Sequence, residues 1–100
     1  MDVDLVPRRR KSVHGVEIDS ESVLYDARNG SLHLLNWSAS AVWWSIDGTS
    51  SVDELAVGLA ERFGASREVM QSDLLKLLDV FAEEQLVDAV RSRSPRPRHA

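Results

Sequence analysis

The chain has 100 residues, enough for one small domain, with 43% hydrophobic and 28% charged residues, the balance of an ordinary globular protein. It has no cysteine, which excludes a disulfide framework, a thiolate metal site and a thiol nucleophile. No apolar run approaches the roughly 18 residues of a membrane span, and the acidic start Met1-Asp2-Val3-Asp4 leads into basic residues rather than an apolar stretch, so no signal peptide and a cytoplasmic location are expected.

The net charge of −4 is unevenly spread. Arg8, Arg9, Arg10 and Lys11 form one basic run, and Arg91, Arg93, Arg96 and Arg98 form another. Between Ser12 and Val90 stand 4 cations against 14 carboxylates, a net −10. An acidic body is poorly suited to gripping nucleic acid and better matched to a partner carrying positive charge.

Residues 1–11 read as a flexible basic arm. Over 12–35 the pattern has period two. Val13, Val16 and Ile18 suggest a first strand, interrupted by Gly15. Val23, Leu24, Tyr25 and Ala27 suggest a second. Asn29-Gly30 is a strong hairpin signal, because both residues of a type I′ turn need positive φ. Leu32-His33-Leu34-Leu35 makes a third strand, with Leu32 and Leu34 on one face and His33 and Leu35 on the other.

After Leu35 the period becomes helical. Asn36 or Ser38 can cap a short helix through Ile46, with Ala39, Val42, Trp43 and Ile46 on its buried face, and Asp47-Gly48 ends it. Ser51-Val52-Asp53-Glu54 is a capping box opening a second helix, whose apolar face holds Leu55, Leu59 and Phe63 and which ends at Gly64. Ser66 caps a third helix to about Gln85, with Met70, Leu74, Leu77, Leu78 and Phe81 as its central stripe. Leu86-Val87 is expected to fold back on the core. Residues 91–100, with two prolines and like charges, read as a disordered basic tail. The remaining stretch, 12–90, is the expected domain.

The folded part offers little for catalysis. His14 and His33 have no carboxylate pattern around them that suggests a metal site. No serine lies in a Gly-x-Ser-x-Gly elbow, and no glycine-rich loop cradles a phosphate. The reading is therefore non-enzymatic, with no catalytic residue, metal or cofactor. Of the three tryptophans, Trp43 falls on a buried face, while Trp37 and Trp44 are the two with room for partner contact.

Leu35-Asn36-x-Ser38-Ala39-x-x-Val42-Trp43, then Asp47-Gly48-Thr49-x-Ser51-Val52-x-Glu54-Leu55, then Phe63-Gly64, Asp73-x-x-x-Leu77-Leu78 and Leu86-Val87, resembles the PqqD-like family over about residues 12–88. These are the recognition elements of ribosomal peptide modification pathways, and the resemblance is to a stand-alone form. It implies an α+β, winged-helix-like fold, a three-stranded antiparallel sheet followed by three helices. It implies binding of a precursor's leader segment by strand addition beside the third strand, facing the third helix. Carried onto this chain, that site is Ser31, Leu32, His33, Leu34 and Leu35, with Val69, Asp73, Lys76, Leu77 and Val80 from one flank of the third helix. Leu32 and Leu34 are expected to offer apolar contact, and Asp73 a partner for a leader cation. The expected partners are the leader peptide and a modifying enzyme, either a radical S-adenosylmethionine enzyme or a leader peptidase. A monomer or weak homodimer is expected, and no membrane. The alternative reading is a winged-helix DNA-binding protein, which the acidic second and third helices disfavour. A dimerisation module using tryptophan and sheet edge is the third.

Overall fold

The computed structural model describes residues 1–91. Three strands, β2 (Val13–Ile18), β3 (Glu21–Asp26) and β4 (Ser31–Leu35), form an antiparallel meander in that order, so β4 is an edge. Three helices follow: α1 (Trp37–Ser45), α2 (Val52–Phe63) and α3 (Arg67–Glu83). The architecture is α+β and winged-helix-like, as expected.

One feature is additional. Residues 1–11, expected as an arm, contain β1 (Leu5–Arg9), paired antiparallel with β5 (Val87–Arg91) from Leu5↔Arg91 to Arg9↔Val87. Val6 and Pro7 are buried there, and the Asp53 N–H donates to Val3 O at 3.0 Å. The partners lie about eighty residues apart, so no local period announces them, and the apolar triplet Leu5-Val6-Pro7 is too short to stand out before the basic run. The tail expected over 91–100 lies outside the described residues except for Arg91, which ends β5.

The tight turn with two positive-φ residues, expected at Asn29-Gly30, is found in the other hairpin. Asp19 and Ser20 both have positive φ and join β2 to β3 across the pair Ile18↔Glu21, a two-residue turn without glycine. At Asn29-Gly30 only Gly30 has positive φ, +74°. Ala27 to Gly30 form a longer loop, with the Asn29 and Gly30 N–H groups both donating to Asp26 O.

The register sets the two sheet faces. Val13, Gly15, Leu24 and Leu35 face the helices, while His14, Val16, Val23, Tyr25, Leu32 and Leu34 face away. Gly15 is small for a packing reason. A Cβ there would stand 2.9 Å from Leu24 Cδ2, 3.1 Å from Trp44 Cζ2 and 3.2 Å from Trp43 Nε1. Trp43 is 1% exposed and meets the Phe81 ring edge-on at 5.7 Å, tying α1 to α3. Trp44 is partly exposed, and its indole N–H donates to Ser22 Oγ at 2.9 Å.

The helices begin where side-chain caps dictate. Asn36 Oδ1 accepts from the Ala39 N–H at 2.9 Å. The Ser51/Glu54 capping box is complete, and Ser66 Oγ accepts from the Val69 N–H. Between α1 and α2 the Asp47 carboxylate accepts from the Thr49 and Ser50 N–H groups, which hold it at about 2 rather than 3.8.

Candidate functional site

β4 runs straight into α1 with only Asn36 between them. The first turn of α1 therefore sits at the end of the free sheet edge, and residues of α3 face that turn across an opening. A concavity of about 530 Å³ opens there. Asn36, Trp37, Ala39 and Val42 line it from α1, Phe63 from the end of α2, and Met70, Asp73, Leu74, Lys76, Leu77 and Val80 from α3. The lining is mostly apolar, with Asp73 and Lys76 as its charged members. Among the described residues neither joins a salt bridge.

Helix periodicity explains which flank of α3 lines the hollow. Leu74, Leu78 and Phe81 are buried in the core, which turns Asp73, Lys76, Leu77 and Val80 toward the opening. Of the five α3 positions expected from the sequence, these four line the concavity, and Val69 is exposed outside that lining.

The β4 residues divide. Leu35 is buried in the core, and His33 turns inward, its Nδ1 3.8 Å from Glu84 Oε1 near the end of α3. Ser31 Oγ lies 3.1 Å from His33 Nε2. Leu32 and Leu34 are the pair expected to offer apolar contact, and they do so away from α3. Their side chains stand on the sheet's outer face, with Leu34 81% exposed beside Val23. Strand alternation requires this once Leu35 is in the core. None of Ser31 to Leu35 lines the hollow, which begins at Asn36 directly after β4; the strand's own free feature is its unpaired backbone edge.

His14 and His33 do not meet, because they lie on opposite faces of the sheet. Among the described residues no group of three or more His, Asp or Glu could hold a metal ion. No helix among them is long and apolar enough to cross a membrane.

Two aromatic residues of the hollow were not assigned to a groove from sequence. Trp37 is 60% exposed and meets the Phe63 ring edge-on at 5.8 Å, so the pair forms one wall. The signal available was the position of Trp37, the first helical residue directly after an edge strand.

The family model for PqqD, coenzyme PQQ synthesis protein D, matches residues 21–87. This chain belongs to the PqqD family. The match spans β3, β4, all three helices and the first residue of β5, so it includes every residue that lines the hollow. None of the curated proteins compared with this PqqD-family chain matches it. Three solved structures share its fold. TbiB1, in complex with the TbiA(beta) leader peptide, is 21% identical with a TM-score of 0.74, covering 81% of this chain and 94% of that one. Lasso peptide synthetase B1, complexed with its leader peptide, is 22% identical with a TM-score of 0.72, covering 83% and 98%. The PqqD truncation of Methylobacterium extorquens PqqCD, described as a functional and stand-alone RiPP recognition element, is 24% identical with a TM-score of 0.70, covering 83% and 88%.

Proposed function

We propose that this PqqD-family chain binds the leader segment of a ribosomally made precursor peptide and presents it to a modifying enzyme, doing no chemistry itself. The leader adds as a strand to the free edge of β4. Ser31 to Leu35 supply backbone hydrogen bonds, and the hollow between α1 and α3 receives alternate side chains of the leader. Of the residues lining the hollow, Asp73 and Lys76 pair with leader charges, and Leu77 and Val80 give apolar contact. Val69 extends the same flank of α3. Leu32 and Leu34 meet the outward side chains of the added strand, since alternation places half of those on the outer face.

The observation that carries this reading is the adjacency of an unpaired strand edge and an apolar hollow of about 530 Å³. An open edge invites unwanted pairing unless it has a use, and an apolar hollow beside it supplies the side-chain specificity that backbone pairing lacks. Two proteins of the same fold are complexed with leader peptides, which supports the same occupant here. The winged-helix DNA-binding reading fits the charges poorly. In α3 and its cap, Glu68, Asp73, Asp79, Glu83 and Glu84 stand against Arg67 and Lys76. A cytoplasmic location, and a radical S-adenosylmethionine enzyme or a leader peptidase as partner, complete the proposal.

The test is calorimetric titration of the chain with leader peptides synthesised from candidate precursors encoded near its gene. Saturable one-to-one binding is expected. No heat of binding, together with retention of a DNA duplex at physiological salt, would contradict it.

A further inference from the structure

The basic run that looked like part of an arm is built into the fold. Arg8 and Arg9 end β1, and Arg10 and Lys11 make the turn into β2, with the Arg10 N–H donating to Leu86 O and the Val13 N–H to Arg10 O. Together with Ser12, Arg28 and Asp88 they line a second cleft of about 480 Å³. Three of its cations are held in place. Arg8 Nε lies 3.2 Å from Asp88 Oδ1. The Arg9 guanidinium lies over the Trp43 and Trp44 rings at 5.7 and 5.3 Å. Arg28 bridges Asp26 and Gln85, each at 2.7 Å. Among the described residues Arg10 and Lys11 have no carboxylate partner. Beside the net −10 of residues 12–90 this is a concentrated patch of the opposite sign.

Its position relative to β4 gives it a use. Arg28 stands three residues before Ser31, where β4 begins, and its guanidinium reaches the loop after α3. Every strand pair among the described residues is antiparallel, the better hydrogen-bonded polarity. A strand added antiparallel to β4 runs from the Leu35 end to the Ser31 end. It would leave the sheet at the end where Arg28 stands, and the cleft, lined by Arg28 and by Arg8 to Ser12 leading into β2, lies across that same end of the three strands.

We propose that the cleft formed by Arg8 to Ser12 and Arg28 receives carboxylates of the leader residues that follow the strand-forming segment. The inference rests on the leader-binding reading and adds the chemistry and direction of the recognised peptide. Arg10 and Lys11 pair with the carboxylates, and the anchored Arg8 and Arg28 frame them. A short peptide carboxylate suits this site better than nucleic acid, because the acidic body repels an extended polyanion.

The experiment titrates the labelled chain with an acetylated oligoglutamate peptide, followed by NMR. Shifts at residues 8–12 and 28 are expected, with 32–35 and the α3 residues unmoved. Binding is expected to weaken about tenfold in the R10Q/K11Q variant and severalfold in K11Q alone. Lys11 is exposed, so K11Q tests the site without touching the core. Absence of shifts overturns the proposal. Equal or tighter binding of tripolyphosphate or a DNA duplex at the same residues overturns it too, since the cleft is then a general anion site. The leader-binding reading fails separately, when the precursor's leader leaves 31–35 unmoved.

Discussion

The Arg28 guanidinium lies 2.7 Å from the carboxylate of Asp26, which is fully buried at the end of β3. The Arg28 backbone N–H donates to the same group at 3.0 Å. These bonds, the guanidinium's above all, hold the carboxyl at about 2 against its ordinary 3.8, although burial opposes them. The pair fixes the loop from which β4 starts, so the free edge is positioned by a buried charge rather than by apolar packing alone.

Acid stability follows from that pair. A carboxyl with a lower pKa folded than unfolded adds stability that is complete above about 3.8 and is lost as pH falls through about 2. Asp47, also held near 2 by the turn between α1 and α2, contributes with the same sign. Circular dichroism is expected to show unfolding develop below pH 4. In Arg28→Gln the acid midpoint is expected to rise by about 1 pH unit or more, because the buried carboxylate loses its cation.

Trp43 fills the centre of the core against Phe81. Trp43→Ala is expected to cost about 3–5 kcal/mol, most of the stability of a domain this small. Thermal denaturation would show a largely unfolded chain at 37 °C. Trp44→Phe keeps an aromatic ring, though a smaller one, and loses the bond to Ser22 Oγ, and is expected to cost about 1 kcal/mol or more.

Gly15→Val places new atoms against Leu24, Trp43 and Trp44, where even a Cβ comes within 2.9–3.2 Å. Overpacking of this kind costs about 1–3 kcal/mol. Urea denaturation should show a lower midpoint with an unchanged slope.

The Trp37–Phe63 wall is exposed, so truncating it tests binding rather than folding. Trp37→Ala is expected to weaken leader binding about tenfold or more while shifting the melting temperature little. Val80→Asp places a charge in the apolar lining and is expected to act the same way. Fluorescence anisotropy with a labelled leader would measure both.

What sequence reasoning could read divides along physical lines. Caps and helix stripes act over three or four residues, so a cap at Asn36 or Ser38, the Ser51/Glu54 box, Ser66 and the buried stripe of α3 were legible, while which flank of that stripe borders the hollow was not fixed by the pattern. So were the period-two strands. The β1–β5 pair was not, because its register depends on chain ends that meet only after folding. The turn at Asp19-Ser20 was hidden because neither residue is the glycine that usually marks positive φ. The face of Leu32 and Leu34 was legible as alternation, but not which face looked at α3. That depends on Leu35 entering the core. Trp37 and Phe63 read as separate helix residues because their meeting is a tertiary contact between two helix ends.

The central claim is that a leader peptide adds to β4 beside the hollow. Backbone NMR of the labelled chain, titrated with leader peptides from candidate precursors encoded near its gene, tests this most directly. The account predicts shifts at residues 31–35 together with Trp37, Asp73, Lys76, Leu77 and Val80, and slowed amide exchange along β4. Binding that shifts the free edge of β2 and leaves β4 and the hollow unmoved would contradict it.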